Sequence, residues 1–137
     1  MEMRIHFPGN KKVSADFDGF SVATDQPVSG GGEASAPAPF DLFLASIGTC
    51  AGIFVLGFCQ KRNIPTEGID LIQKMEWDPV KHLVSKIKLE IRVPESFPEK
   101  YRESLISAAS LCTVKRHLHE PPQFEVTTEV QKQGGLQ

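Results

Sequence analysis

The chain has 137 residues, 40% of them hydrophobic and 23% charged, and its formal net charge is −2. This length allows one domain with a real core, but not two independent ones. The charge balance gives no basic field that could hold a phosphate backbone, so nucleic acid is not an expected partner. Three cysteines and the absence of a signal-peptide pattern argue against a secreted disulfide scaffold and favour a reducing cytoplasm.

The N-terminal third divides into a strand region and a loop. Residues 1–23 predict a meander of short strands joined by tight turns, because short apolar runs alternate with Pro-Gly-Asn and Asp-Gly pairs. Residues 24–38 are rich in Gly, Pro and Ser and sustain neither helical nor strand periodicity, so they predict a loop.

A long apolar helix is predicted over residues 39–63. Pro39 sets its first turn, and Pro65 stops it. The segment from Leu42 to Cys59 has 18 residues and carries no charge. This length is the lower limit for a helix that spans a membrane. Its glycines, serine and threonine, and the lack of aromatic and basic anchors at both ends, argue against a membrane. A helix that is apolar on nearly every face then requires burial on every face, and burial between two subunits is the natural solution.

Residues 66–130 predict strands and helices that complete an α+β fold. The strictest alternation runs from Leu83 to Val93, and it pairs with a weaker one at 69–77 as an antiparallel hairpin that covers the central helix. A capping-box pattern at Ser96 predicts a helix through about Ala109. A short helix at 112–119 and a last strand at 124–130 follow, before a tail at 131–137 that is expected to fray.

Two cysteines carry the expected chemistry. Cys50 lies within the apolar run, and Cys112 follows 62 positions later. A thiol in a dry setting can meet an apolar, oxidisable substrate, and a second thiol within reach can resolve the oxidised sulfur as a disulfide. Cys59 lies about 900° of helical rotation beyond Cys50, hence on the opposite helix face, and we expect it to be a packing residue.

The segments Pro39–Cys50 and Leu111–Leu118 together resemble the OsmC/Ohr family of osmotically induced and organic-hydroperoxide-resistance proteins, and the element order matches over nearly all of the chain. The resemblance implies an intertwined homodimer with its long helices packed in the middle and active sites at the subunit interface. It also implies reduction of organic hydroperoxides, with Cys50 as the peroxide-attacking thiol and Cys112 as the resolving one. It further implies a role in antioxidant protection and in the oxidative stress response.

The chain departs from the family pattern at three positions. Phe40 stands where a glutamate usually follows the proline, and Asp41 is the nearest carboxylate. The position of the family's arginine falls in a stretch whose basic residues are lysines, among them Lys12, which lacks the planar fork of arginine. Thr113 replaces the proline that usually follows the second cysteine.

Cys50 must ionise to attack a peroxide, yet it lies mid-helix, and apolar burial raises a thiol pKa. A cation from Lys12, Arg116 or His117, of the same or of a second subunit, is therefore expected nearby. Local physics alone favours Cys112 as the lower-pKa thiol, because it starts a short helix, whereas the resemblance implies Cys50.

The remaining expectations concern the pocket and the partners. Phe40, Phe43 and Phe54 are candidates for the wall of an apolar pocket, and Trp77 is expected to face core or interface. Sulfur carries both electrons, so the cycle needs no metal or organic cofactor. The partners implied are an organic hydroperoxide and a dithiol reductant of the lipoyl or thioredoxin type. The alternatives are a dithiol enzyme for another oxidised or sulfur-bearing substrate, and a non-catalytic protein that binds an apolar small molecule.

Overall fold

Three N-terminal strands form an antiparallel sheet in the computed structural model, which describes residues 1–132. The strands are β1 (Arg4–Gly9), β2 (Lys12–Phe17) and β3 (Phe20–Thr24), in that order across the sheet. The predicted meander is confirmed. The outer strands β1 and β3 are mostly exposed, whereas the residues of β2 are half-buried apart from Ser14, which is buried. Such a small sheet needs an apolar cover to be stable.

The loop after β3 is organised around the buried carboxylate of Asp25. Asp25 accepts hydrogen bonds from the backbone N–H groups of Gln26, Glu33 and Ser35 and from the Ser35 hydroxyl. The Ser35 hydroxyl, followed by the Gln26 N–H, lowers the pKa of Asp25 to about 2. A short 3-10 turn spans Val28–Gly30. This predicted loop therefore has a fixed shape built on one ionised side chain.

Helix α1 (Pro39–Lys61) is the central element, and it ends two residues before the predicted 63. Pro39 opens it, and the Asp41 carboxylate accepts a hydrogen bond from the Ala38 N–H at 3.1 Å. The helix has the length and composition of a membrane span, with a mean hydropathy of 2.2 over 18 residues. A helix buried in a protein core can have the same length and composition. Only 28% of that window is buried within the chain, so much of its apolar surface is uncovered.

The second half supplies a hairpin and two short helices. Strands β4 (Asp70–Asp78) and β5 (Leu83–Arg92) pair antiparallel, which confirms the predicted hairpin. Helix α2 (Arg102–Ala109) follows a 3-10 turn at Glu99–Tyr101, and α3 (Thr113–His119) confirms the predicted short helix. The core lies between α1, α2 and β5 and contains Ala51, Val55, Phe58, Cys59, Phe97, Leu105 and Ala109.

The helix start predicted at Ser96 is wrong. Pro98 has extended backbone angles (φ −62°, ψ 117°), and the chain becomes helical only after it, with no side-chain cap. Phe97 is buried in the core instead. The capping-box spacing fails because a proline between its two ends disfavours helical geometry in the residue before it.

The last predicted strand is also absent from the described residues. Residues 120–132 form neither helix nor strand, and the alternating side chains of Phe124, Val126 and Val130 are 87%, 94% and 93% exposed. A strand exists only when its backbone groups find a partner, and this chain alone provides none there. Residues 133–137 of the predicted tail lie outside the described residues.

The loop around Asp25 predicts an asymmetric response to alanine. A Cβ at Gly32 would clash with the carbonyl oxygen of Gln26, whereas at Gly30 the nearest atoms are at 3.7 Å, an ordinary contact. We expect Gly32→Ala to lower the free energy of unfolding by about 1–3 kcal/mol and Gly30→Ala to change it by less than about 0.5 kcal/mol. Denaturant unfolding at equal protein concentration checks this, and equal effects of the two substitutions would contradict it.

Candidate active site

The two cysteines singled out from the sequence come together in the fold. Cys50 lies near the middle of α1 and is half-buried, and Cys112, just before α3, is 2% exposed. The two side chains are near enough for Cys112 to lower the pKa of the Cys50 thiol, and both thiols are free. Residues 62 positions apart in the sequence are therefore neighbours in the fold.

Cys112 is the cap of α3 and ties that helix to α1. Its sulfur accepts a hydrogen bond from the Lys115 N–H at 3.4 Å, and its thiol can donate to the Ile47 carbonyl oxygen at 3.8 Å. Ile47 precedes Cys50 by three residues, so the two share one face of α1. The start of α3 is thus fixed over the face that carries Cys50.

The pKa of the Cys50 thiol is lowered by donors from the start of α3. The largest contribution is the hydrogen bond from the Val114 N–H. Partial burial acts in the opposite direction, and the Cys112 side chain, the Thr113 N–H and the Thr113 hydroxyl lower the pKa further. Donors that face a sulfur anion stabilise it relative to the neutral thiol.

These donors explain how a thiol in the middle of a helix can have a lowered pKa. The helix terminus that serves Cys50 belongs to α3, 63 or more residues later in the chain, and the same terminus is capped by Cys112. Sequence reasoning associated this terminus with Cys112 alone and missed Thr113 and Val114 as donors. The pattern contained a signal, because a cysteine directly before a short helix leaves the next N–H groups free to point at a neighbouring atom.

The charged residues proposed for activation have other partners or stay exposed. Lys12 forms an ion pair with Glu33 at 2.6 Å, and the Glu33 carboxylate raises the pKa of Lys12. Asp41 caps α1. Arg116 is exposed on α3, and His117 is exposed there too, with its Nδ1 2.8 Å from the Thr113 carbonyl oxygen. An activating role for Lys12, Asp41, Arg116 or His117 stays a prediction.

Cys59 differs from Cys50 in every respect that matters for reactivity. It is completely buried within the core, and burial raises the pKa of its thiol. Its predicted role as a packing residue agrees with this position. It therefore provides an internal control for thiol chemistry.

A polar side chain that sequence reasoning overlooked anchors the hairpin next to the site. Gln73 on β4 donates from Nε2 to the Leu44 carbonyl oxygen of α1 at 2.9 Å. Gly48 makes room for it, since a Cβ there would lie 2.6 Å from the Gln73 side-chain oxygen. The signal was present, because Gln73 interrupts the apolar series of its strand at a position that faces the helix.

An apolar cavity of about 700 Å³ borders the site. Ile47 of α1 forms part of its wall, together with side chains of β5, α2 and α3, while Lys115 and His119 bring polar groups to it. None of Phe40, Phe43 and Phe54 lines this cavity. Phe40 and Phe43 instead stack on each other with ring centres 5.6 Å apart. A pocket role for the three phenylalanines stays a prediction.

A family model for OsmC-like proteins matches residues 30–127, which is well over half of the chain. The protein is a member of the OsmC-like family. The match contains both cysteines, the whole of α1 and the start of α3. Membership of this OsmC-like family supports a redox role. A search of curated proteins found no significant match.

Solved structures of low sequence identity show the same fold. One is a protein of Psychrobacter arcticus 273-4 described as an osmotic stress induced and detoxification response protein, with a TM-score of 0.67 and 22% identity over 83% of this chain and 85% of that one. A hypothetical protein of Aquifex aeolicus VF5 gives 0.61 and 18% identity over 88% and 87%. A Legionella pneumophila protein described as the organic hydroperoxide resistance protein OsmC, a predicted redox protein, gives 0.54 and 19% identity over 85% and 87%.

The hydrogen bonds to Cys50 predict a selective reactivity towards an alkylating agent. In the folded protein we expect iodoacetamide to label Cys50 first and to leave Cys59 unlabelled, because thiolate character and exposure both favour Cys50. Cys112→Ala removes one donor, so the pH midpoint of Cys50 labelling moves upwards and the rate at pH 7 falls by about threefold to tenfold.

Mass spectrometry of the labelled peptides over pH 5–10 measures this directly. Cys112→Ser retains both a donor and a helix cap and is expected to fall between wild type and Cys112→Ala, whereas Cys59→Ala is expected to match wild type. Labelling of Cys59 as fast as Cys50 in the folded protein would contradict the account.

Proposed function

We propose that this protein is a thiol peroxidase that reduces organic hydroperoxides to alcohols through Cys50 and Cys112. The observation that carries the proposal is the contact between the two thiols, one of which has a lowered pKa. A half-buried thiol of lowered pKa beside a buried second thiol is the arrangement that a two-step peroxide reduction requires. The Legionella protein of the same fold, described as an organic hydroperoxide resistance protein, adds support.

The first step consumes the peroxide. The Cys50 thiolate attacks the terminal oxygen of the hydroperoxide, an S–O bond forms, and the O–O bond breaks. The alkoxide leaves with the electron pair of that bond and takes a proton from solvent to become an alcohol, so Cys50 becomes a sulfenic acid. The donors at Thr113 and Val114 orient the attacking sulfur before the reaction and need not move during it.

The second step uses Cys112. Its sulfur attacks the Cys50 sulfenic acid, the S–O bond breaks, and the hydroxyl group leaves as water with the Cys112 proton. The disulfide protects Cys50 from further oxidation. A dithiol reductant of the lipoyl or thioredoxin type then restores both thiols by two exchange steps. Each turnover moves two electrons from the dithiol to the peroxide, and the setting that fits this chemistry is a reducing cytoplasm.

The proposal includes a homodimer that covers α1. Most of the apolar window of α1 is unburied within one chain, including Ile53, which is 59% exposed. Trp77 on β4 is 58% exposed, and the residues of the missing last strand are almost fully exposed. Large apolar side chains left open on several elements are typical of a subunit interface. A second copy would bury α1 on both sides and supply partners for residues 124–130.

A second candidate function is the binding of an apolar small molecule without catalysis. The observation that favours it is the cavity, because about 700 Å³ lies within the usual range of ligand pockets. Phe40 also stands where the family resemblance would place a catalytic acidic residue, so that charge is missing at the start of α1. In this case the two thiols would keep their reduced state in the presence of peroxide.

The peroxidase proposal predicts a substrate preference and a strict dependence on Cys50. We expect consumption of cumene hydroperoxide with a dithiol as reductant, at least about tenfold faster than consumption of hydrogen peroxide, because an apolar cavity opens at Ile47, one helical turn from Cys50. Cys50→Ser abolishes turnover, and Cys112→Ser permits one oxidation but slows the regeneration step.

Cys59→Ala is the matched control and should turn over like wild type, since Cys59 is buried in the core. Equal activity in Cys50→Ser would contradict the proposal. Thiols that stay free under excess organic peroxide, together with a raised melting temperature on addition of an apolar ligand, would favour the binding function instead.

The dimer proposal predicts a particle of twice the chain mass at micromolar concentration. Ile53→Glu places a charge on the uncovered face of α1 and should give a monomer, because burying an unpaired charge in an interface is strongly unfavourable. Val80→Glu is the control, since Val80 lies in the turn between β4 and β5 and is 86% exposed. Analytical ultracentrifugation decides the matter, and a monomeric wild type would overturn the dimer.

A further inference from the structure

The apolar cavity of about 700 Å³ lies between strand β5 and helices α2 and α3. Residues of β5 between Val84 and Ile91 form one of its walls, which extends over roughly 23 Å at the usual rise of a strand. The cavity is therefore long enough for an extended small molecule, and its volume lies within the range of ligand pockets.

The side chains that line the cavity are mostly apolar, because each element turns one face towards it. The lining residues of β5 include three alternate members of one strand face, Ile87, Leu89 and Ile91. Ile106 of α2 and Leu118 of α3 line it from the helices, and they are 59% and 50% exposed. An apolar molecule that covers these side chains is stabilised by their removal from water.

The titratable side chains on the wall of the cavity are all basic, namely those of Lys86, Lys115 and His119. Among residues 1–132, no aspartate or glutamate lines the cavity, and these three form no ion pair with a carboxylate. The whole chain has 17 acidic residues against 15 lysines and arginines, so composition does not explain this local excess of positive charge. An apolar wall with only basic groups is complementary to an apolar molecule that carries a negative charge.

We propose that this cavity binds an amphipathic anion, a molecule with an extended apolar chain and one carboxylate group. The chain lies along the apolar face of β5, and the carboxylate pairs with the ammonium group of Lys115. The inference deepens the binding function named above and rests on it, since it specifies the charge of the ligand. It requires no redox step, so an acid without a peroxide bond tests it.

Lys115 is the best placed of the basic residues, because its backbone is fixed next to the buried thiol. Its N–H donates to the Cys112 sulfur at 3.4 Å, and the Cys112 thiol contacts the Ile47 carbonyl oxygen at 3.8 Å. Ile47 itself lines the cavity. His119 lies one helical turn after Lys115, so both side chains project from the same face of α3. A carboxylate at Lys115 would therefore lie beside the helix start that carries the second thiol.

Two other occupants would fill the cavity with protein instead of a small molecule. One is the segment 120–132, which begins directly after His119 and has exposed apolar side chains, although none of its residues lines the cavity in this structure. The other is a second copy of the chain. Neither would leave a saturable site for a small anion, so a binding measurement on the full chain separates them from the proposal.

Isothermal titration calorimetry of the reduced full chain with three probes of equal chain length tests the charge. Decanoate is expected to bind once per chain and at least about tenfold more tightly than 1-decanol, because hydrogen bonds to a charged group are the stronger ones. Decyltrimethylammonium, which has the opposite charge, is expected to show no saturable binding. The probes contain no peroxide bond, so the thiols take no part.

Two lysine variants identify the residue that binds the carboxylate. Lys115→Met retains an apolar stem and should weaken decanoate binding about fivefold while leaving 1-decanol binding unchanged. Lys88→Met is the matched control, because it removes the same charge from an exposed residue of β5 that does not line the cavity. Ile106→Gln should weaken both ligands, since it changes the apolar wall. Circular dichroism verifies that each variant is folded.

The possible failures are distinguishable. Equal affinities for decanoate and 1-decanol, or equal losses in Lys115→Met and Lys88→Met, would overturn the anion and leave the apolar binding function intact. If neither probe binds, protein covers the cavity, and both the inference and the binding function fail. A change of particle mass on addition of decanoate would show that a second copy occupies the cavity and would overturn the inference. Decanoate binding to a protein that consumes no organic hydroperoxide would support it, and the peroxidase proposal alone would fail.

Discussion

The packing of the start of α3 against α1 through Cys112 is the interaction on which the site depends. It brings groups that lower the pKa of Cys50 to the middle of an apolar helix, where no terminus of its own helix could stabilise an anion. Cys112 holds the arrangement together, because it caps α3, contacts α1 and touches Cys50 at the same time. Its removal therefore affects structure and chemistry together, which is why the serine variant is the informative comparison.

The long apolar helix imposes the second constraint. Within one chain, α2 and the β4–β5 hairpin cover α1 on one side, through Leu105 in the core and Gln73 at the edge. The N-terminal sheet has almost no buried residues of its own, and Lys12 and the Asp25 loop connect it to the segment that leads into α1. Helix α1 and the N-terminal sheet therefore both expose surface that a second copy of the chain would cover.

The sequence predicted best those features that local pattern determines. Pro39 and Pro65 bound α1 to within two residues, and the alternation around Leu83–Arg92 was enough to identify the hairpin. Two predictions failed for reasons that lie outside the local pattern. The spacing at Ser96 ignored the backbone restriction of Pro98, and the alternation at 124–130 describes a strand that finds no partner in a single chain.

The site was predictable in its residues but not in its geometry. Cys50 and Cys112 were identified by their sequence context, and the fold brings them into contact. The source of activation was expected to be a cation, whereas the groups that lower the pKa of Cys50 are neutral donors from Thr113, Val114 and Cys112. Such donors depend on how α3 packs against α1, and no periodicity or spacing within either helix records that contact.

The most direct test of the account is to identify the disulfide that forms when the reduced protein meets one equivalent of cumene hydroperoxide. The contact between the two thiols predicts a single Cys50–Cys112 bond in peptide mass spectrometry, with Cys59 still reduced. Oxidation that stops at Cys50 without a disulfide, or a bond that includes Cys59, would contradict the arrangement of the site described here.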